Sequence, residues 1–174
     1  SSIIGGLNQQ IIAPFDSASL FVNNIFGGSA NVISSSGFES ITNSTIVGGL
    51  GNRIIDSSSL GVPAGDIFGA TILGGRSNFV LDGFDSTVIG GFTNQIKASE
   101  AAIVGGAQNT VLHRGSVILG MDSRTSEDTF TTYVNNLVVD GNMTVNAITS
   151  SIISSSIIFS SGSNIFGDAI TDTH

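Results

Sequence analysis

The chain is patterned by a short block in which two apolar residues precede a Gly-Gly pair. The fuller unit is a small or polar residue, two apolar residues, Gly-Gly, two variable residues, Asn, one variable residue and one apolar residue. It appears as Ser2-Ile3-Ile4-Gly5-Gly6 through Ile11, with Gln9 at the Asn position, and as Asn24-Ile25-Phe26-Gly27-Gly28 with Asn31 and Ile33. It returns as Thr45-Ile46-Val47-Gly48-Gly49 with Asn52 and Ile54, and Thr71-Ile72-Leu73-Gly74-Gly75 with Asn78 and Val80. Thr87-Val88-Ile89-Gly90-Gly91 with Asn94 and Ile96, and Ala102-Ile103-Val104-Gly105-Gly106 with Asn109 and Val111, follow. A further block starts at Val117-Ile118-Leu119-Gly120, but Met121 replaces the second Gly and the pattern is read as stopping there.

The leading glycines fall at 5, 27, 48, 74, 90, 105 and 120, so the steps settle to 15 residues. Such a unit is too short for a helix–turn–helix repeat and suits two short strands and two turns, one winding of a parallel β-solenoid. Gly-Gly marks a turn that needs positive φ or a close backbone approach. The longer early steps come from insertions at one point of the unit: Pro14 to Asn23, Ser34 to Ser44, and Asp56 to Ala70. Insertions at one point are expected to project from one side of the stack.

Stacking at the usual strand spacing of about 4.8 Å lines like residues into columns. One is Ile11, Ile33, Ile54, Val80, Ile96, Val111. Two others, adjacent in sequence, are Ile4, Phe26, Val47, Leu73, Ile89, Val104, Leu119 and Ile3, Ile25, Ile46, Ile72, Val88, Ile103, Ile118. Neighbours on a strand point to opposite faces, so one column fills the interior and the other lies bare outside. The expectation is that the Ile3-to-Ile118 column is outside and forms an oligomer interface, because an apolar stripe wants cover and an identical copy about a symmetry axis supplies it. Three copies are preferred; the stripe alone leaves a dimer open.

After Met121 the pattern changes. Residues 122–133 read as a linker or cap, and residues 134–174 as a β-rich shaft segment, leaving 1–121 as the solenoid head. Leu137-Val138-Val139-Asp140-Gly141-Asn142-Met143-Thr144-Val145 reads as a hairpin about an Asp-Gly turn. Ile148, Ile152-Ile153 and Ile157-Ile158-Phe159 then recur among serines, which do not sustain a helix at that density. Such a chain buries too little alone and implies side-by-side copies.

Composition narrows the function. Of 174 residues only 10% are charged, 5 basic against 13 acidic, for a net charge of −8. The cations Arg53, Arg76, Lys97, Arg114 and Arg124 are scattered, which argues against a nucleic-acid or anionic-membrane partner. There is no cysteine, hence no disulfide framework or thiolate metal site. No run approaches the roughly 18 apolar residues of a membrane helix. The start inside a repeat, without Met, is read as that of a fragment or processed piece.

The solenoid units resemble the heads of trimeric autotransporter adhesins, and the Gly-Gly-x-x-Asn variant is similar to repeats of phage tail-fibre and appendage proteins; the resemblance spans roughly residues 1 to 120. It implies a left-handed β-roll of about seven coils, all-β and homotrimeric. The ending Ser160-Ser161-Gly162-Ser163-Asn164-Ile165-Phe166-Gly167-Asp168 with Thr171-Asp172-Thr173-His174 is similar to phage structural proteins. Together these imply a virion-surface fibre that binds other appendage proteins and a glycan or protein of the host surface. The alternative is a bacterial trimeric adhesin at the cell surface. The early insertions depart from the regular adhesin heads.

Candidate chemistry is thin. The glycines 5, 6, 27, 28, 48, 49, 74, 75, 90, 91, 105 and 106 and the column Asn31, Asn52, Asn78, Asn94, Asn109 read as structural turns and an amide ladder. Asp82 with Asp85, Glu127 with Asp128, and Asp168, Asp172 and His174 lack the spacing of a Ca²⁺ loop. His113 beside Arg114 has no carboxylate at fixed spacing, and no nucleophile elbow or phosphate loop is present. A polysaccharide-cleaving tailspike would need paired carboxylates on one face, and the acidic residues do not share columns. No enzyme activity, cofactor or metal is expected. The insertions carry Phe15, Phe21, Phe38 and Phe68, the candidate receptor-contacting residues, since loops on a rigid scaffold usually carry binding.

Overall fold

The computed structural model describes residues 1–12, 20–35, 41–56 and 67–144. The chain divides into Ser1–Leu137 and Val138–His174. Among the described residues there is no helix, and every strand pairing is parallel, giving an all-β, solenoid-like architecture.

Three sheets make up the first unit. The long sheet stacks Ser2–Ile4, Asn24–Phe26, Thr45–Val47, Thr71–Leu73, Thr87–Ile89, Ala102–Val104, Val117–Leu119 and Thr132–Val134. The middle sheet stacks Gln10–Ile12, Val32–Ser35, Arg53–Asp56, Phe79–Leu81, Gln95–Ile96 and Thr110–Val111. The short sheet holds Leu20–Phe21, Ile41–Thr42 and Ile67–Phe68. Pairing is in register with the repeat: Thr71 opposes Thr45 on one side and Thr87 on the other, and Val80 opposes Ile54 and Ile96. Strands of two to four residues, rich in Ile, Val and Thr, suffice because all but the end strands are held on both sides along the stack.

The corners rest on left-handed backbone. In the third Gly-Gly pair Gly48 has φ +66° with open space where a Cβ would be, so conformation alone selects glycine there. A Cβ on Gly49 would lie 2.4 Å from the Gly75 carbonyl oxygen and 2.4 Å from Asn52 Nδ2, so the next rung also excludes it. The third side closes in two ways. Long units cross it with a strand of the short sheet; short units turn it at positive-φ residues, Asp82 and Asp85 in one and Glu100 or Gly115 in the next two. The backbone ladder runs through both: Asp85 N–H donates to Phe68 O (2.7 Å) and Glu100 N–H to Phe84 O (2.7 Å).

This corrects the expectation that the insertions simply project. Their returning limbs form part of the wall, and Ile41 and Ile67 are fully buried in the core. Residues 13–19, 36–40 and 57–66 lie outside the described residues.

The core is a file of inward side chains: Ile25, Ile46, Ile72, Val88, Ile103 and Ile118 from the long sheet, and Ile33, Ile54, Val80, Ile96 and Val111 from the middle sheet. The Ile3-to-Ile118 column is therefore inside, not at an oligomer interface; Ile3, on the sheet's first strand, belongs to it but stays exposed. The physical reason is parity. Two residues before each of these sits a small residue, Asn23, Ser44, Ala70, Ser86, Ala101 or Ser116, also buried. With period two, 44 and 46 face in while 45 and 47 face out. The narrow interior also admits only Ile or Val in the inward column (Ile25 to Ile118), whereas the outward one ranges from Val to Phe.

The solenoid does not stop at Met121. Thr132–Val134 adds to the long sheet with Thr132 opposite Val117, a further 15-residue step, so residues 122–133 are part of a regular unit rather than a linker. Tyr133 takes the inward Ile position and Arg124 the Asn position. Over Leu137–Thr144 no strand forms, only bends at Asp140 and Gly141, so the expected hairpin is absent there. A two-stranded ribbon without a third partner is marginal in water. Val145 and the proposed shaft beyond it, with Asp168, Asp172 and His174, lie outside the described residues.

Candidate functional site

Three surface features can serve recognition. The first is the outer face of the long sheet. In each strand the middle residue is inward and its neighbours outward, which sets a column that is half Thr (Thr45, Thr71, Thr87, Thr132) beside a column of Ile4, Phe26, Val47, Leu73, Ile89, Val104, Leu119 and Val134. Every member of the second column is 38–59% exposed. It contains no charge and runs the length of the sheet.

The second feature is the third side. Phe68 is 44% exposed and stacks on Phe84 with ring centroids 6.5 Å apart. Phe21 lies in the strand paired with Ile41–Thr42. Phe15 and Phe38 fall outside the described residues.

The third is a groove of about 340 Å³ on the outer face of the middle sheet, lined by Ser77, Phe79, Thr93, Asn94, Gln95, Gln108 and Thr110. Sequence reasoning missed it, because apart from Asn94 its residues belong to the variable positions of the unit.

The Asn column is structural. Asn52 Oδ1 accepts the Asn78 N–H at 3.0 Å and its Nδ2 donates to the Gly74 and Gly75 carbonyls at 3.2 Å. Asn78 does the same with Asn94, Gly90 and Gly91 (3.0, 3.1 and 3.2 Å), and Asn31 with Asn52 and Gly48 (2.9 and 3.1 Å). Each acceptor thus faces the following rung, as does the shortest bond that each Nδ2 donates; Asn31, Asn52 and Asn78 also donate at 3.4 Å to their own Gly carbonyl, and Asn109 donates back to Asn94 Oδ1 at 3.1 Å. All five are fully buried.

Several titratable groups gather around the last described rung. His113 Nδ1 lies 2.9 Å from Ser126 Oγ, but Ser126 is buried and its oxygen already accepts the Leu112 N–H at 2.9 Å. Tyr133 Oη accepts the N–H groups of Glu127 (2.7 Å) and Asp128 (2.8 Å). The Arg124 guanidinium sits 4.6 Å over the Tyr133 ring and pairs with Glu127 at 3.1 Å. Its backbone N–H takes the last ladder acceptor, Asn109 Oδ1 (3.0 Å). On the surface, the hydrogen bond that Arg114 donates to Glu100, followed by that carboxylate's charge, raises the Arg114 pKa. Asp82 and Asp85 occupy positive-φ turn positions. Among the described residues no group of three His, Cys, Asp or Glu could hold a metal.

Comparison with known proteins places no relative beside these surfaces. No family model matches the chain, and no curated protein or solved structure matches it either.

Proposed function

We propose that this chain is a structural and adhesive fibre segment, a left-handed β-roll of about seven coils that works as a homotrimer on the surface of a virion. The observation that carries the assembly is the bare aliphatic column of the long sheet, Ile4 to Val134. Its side chains repeat at the strand spacing, so the surface that best matches it has the same rise and the same register. A parallel copy of this chain meets both conditions, and an axis closing the set leaves no stripe exposed. The adjacent Thr column adds hydroxyls that hydrogen-bond across such an axis without introducing charge.

The virion attribution is supported by the resemblance of the Gly-Gly-x-x-Asn units and of the serine-rich ending to phage fibre proteins. A bacterial surface adhesin is the second reading, supported by the likeness of the units to adhesin heads. The adhesive role is supported by how the clustered polar groups are used: the Ser126 and Tyr133 hydroxyls accept backbone N–H groups, His113 Nδ1 lies against Ser126 Oγ, and Glu127 pairs with Arg124.

Light scattering on the purified chain tests the assembly. The expected particle is three times the 17.7 kDa chain. Leu73→Glu with Ile89→Glu should release folded monomers, because carboxylates buried without partners cost several kcal/mol. A wild-type chain that is a stable monomer overturns the trimer. Immunogold labelling of virions against labelling of bacterial envelopes decides between the two locations.

A further inference from the structure

The groove on the middle sheet has the makeup of a ligand site. Successive rungs place Phe79, Gln95 and Thr110 in one outward column, in register. Ser77, Thr93 and Gln108, each at a positive-φ corner, form the parallel wall. The lining carries no formal charge. Its volume of about 340 Å³ lies at the lower end of the roughly 300–1,000 Å³ typical of small-ligand sites.

What the groove offers is side-chain hydrogen bonding beside one aromatic face. The backbone N–H groups of all six residues are already bonded to neighbouring rungs, so a peptide cannot add as a strand here, because strand addition needs a free edge. The side chains of Ser77, Thr93, Gln95 and Thr110 make no hydrogen bond within the described residues, and Gln108 only accepts one from Ser123 at 3.3 Å. Phe79 is braced by the Arg53 guanidinium, 5.7 Å from its ring centroid. Amides and hydroxyls that can both donate and accept, next to an aromatic ring, match the alternating hydroxyls and apolar C–H faces of a sugar ring. A net charge of −8 disfavours a polyanionic chain. The strand spacing of about 4.8 Å is close to the advance of one pyranose along a linear glycan.

We propose that this groove binds a neutral linear oligosaccharide laid along the solenoid axis. One pyranose face rests on Phe79, and its hydroxyls are read by Gln95, Gln108, Ser77, Thr93 and Thr110. The inference gives the adhesive reading a ligand class and rests on that reading. It moves recognition from the insertions to the regular wall.

The test uses the full chain with maltohexaose, cellohexaose, laminarihexaose and chitohexaose, read by saturation-transfer NMR and calorimetry. At least one should bind. Phe79→Ala and Gln95→Ala should each weaken it about tenfold, the loss of one good contact. Thr110→Trp should block the groove, while Phe92→Ala, at a neighbouring column outside it, should leave binding unchanged. Melting curves identify any variant that fails to fold, and Gln95→Ala, a truncation at an outward position, keeps the test decisive. Absence of binding to all four sugars overturns the proposal, as does binding that survives all three groove substitutions. Light scattering on the same samples keeps the two ideas apart: a trimer that binds no sugar sinks the groove alone, and a monomer that binds sugar sinks the trimer alone.

Discussion

At the residue scale, the fold depends on side chains that do backbone work. An Asn at the corner has a carbonyl and an amide on a stem short enough to hold both against the next rung, and burial makes each bond hard to replace. Asn78→Ala would strand the Asn94 N–H and the Gly90 carbonyl, both left without those partners in a dry corner. The expected cost is about 3 kcal/mol, from one to two unsatisfied buried groups, read as a lowered denaturation midpoint. A midpoint shift within error would mean that water or a neighbouring group can replace the amide. The same economy explains why the glycines differ: at the second position of the pair a methyl group collides with the rung above, as at Gly49, whereas Met121 is tolerated where no further Gly-Gly pair follows.

At the element scale, each rung is interchangeable with its neighbour. Removing residues 87–101, one whole unit, should leave a shorter folded stack, since Thr71–Leu73 can then pair with Ala102–Val104 in unchanged register. Removing 87–100 instead shifts the junction by one residue and sets Ala101 where the outward Thr87 had been. Circular dichroism and limited proteolysis should find the first deletion native-like and the second protease-sensitive. The strand and turn positions were legible because spacing and glycine recur together. The inward face was open to misreading because both columns are apolar; the deciding sign was the small residue at Ser44, Ser86 or Ser116. The short sheet was illegible, since Ile41–Thr42 and Ile67–Phe68 are two-residue strands with no periodicity to show. Thr132–Val134 was hidden by Tyr133 in an Ile column, although its 15-residue step was there to count. The groove could not be foreseen, because Phe79, Gln95 and Thr110 share only a position in the unit and no residue type.

At the scale of the whole molecule, the last described rung is closed by polar groups. At Tyr133 the interior is closed by a phenol, a stacked guanidinium and a buried serine. Polar closure of a terminal repeat prevents fraying and end-to-end association. Tyr133→Ala should remove the ring packed on the core and the acceptor of two N–H groups, at about 3–5 kcal/mol for the aromatic. Hydrogen exchange should then rise first at Ala102–Val104 and Val117–Leu119, with Asn24–Phe26 still protected. Uniform loss of protection would mean that the stack melts as one block instead of from the uncapped end.

The amide ladder also gives the molecule a direction in time. Every corner Asn turns its acceptor and its shortest donated bond to the rung that comes after it in the chain. A finished rung therefore holds out an unfilled pair of hydrogen-bonding groups at the place where the next strand must land. Because a ribosome delivers the chain from its N-terminal end, the template always exists before the segment it receives. Such a protein can be laid down winding by winding during its own synthesis, with each new length of chain meeting an ordered edge and never a collapsed pool of identical competitors.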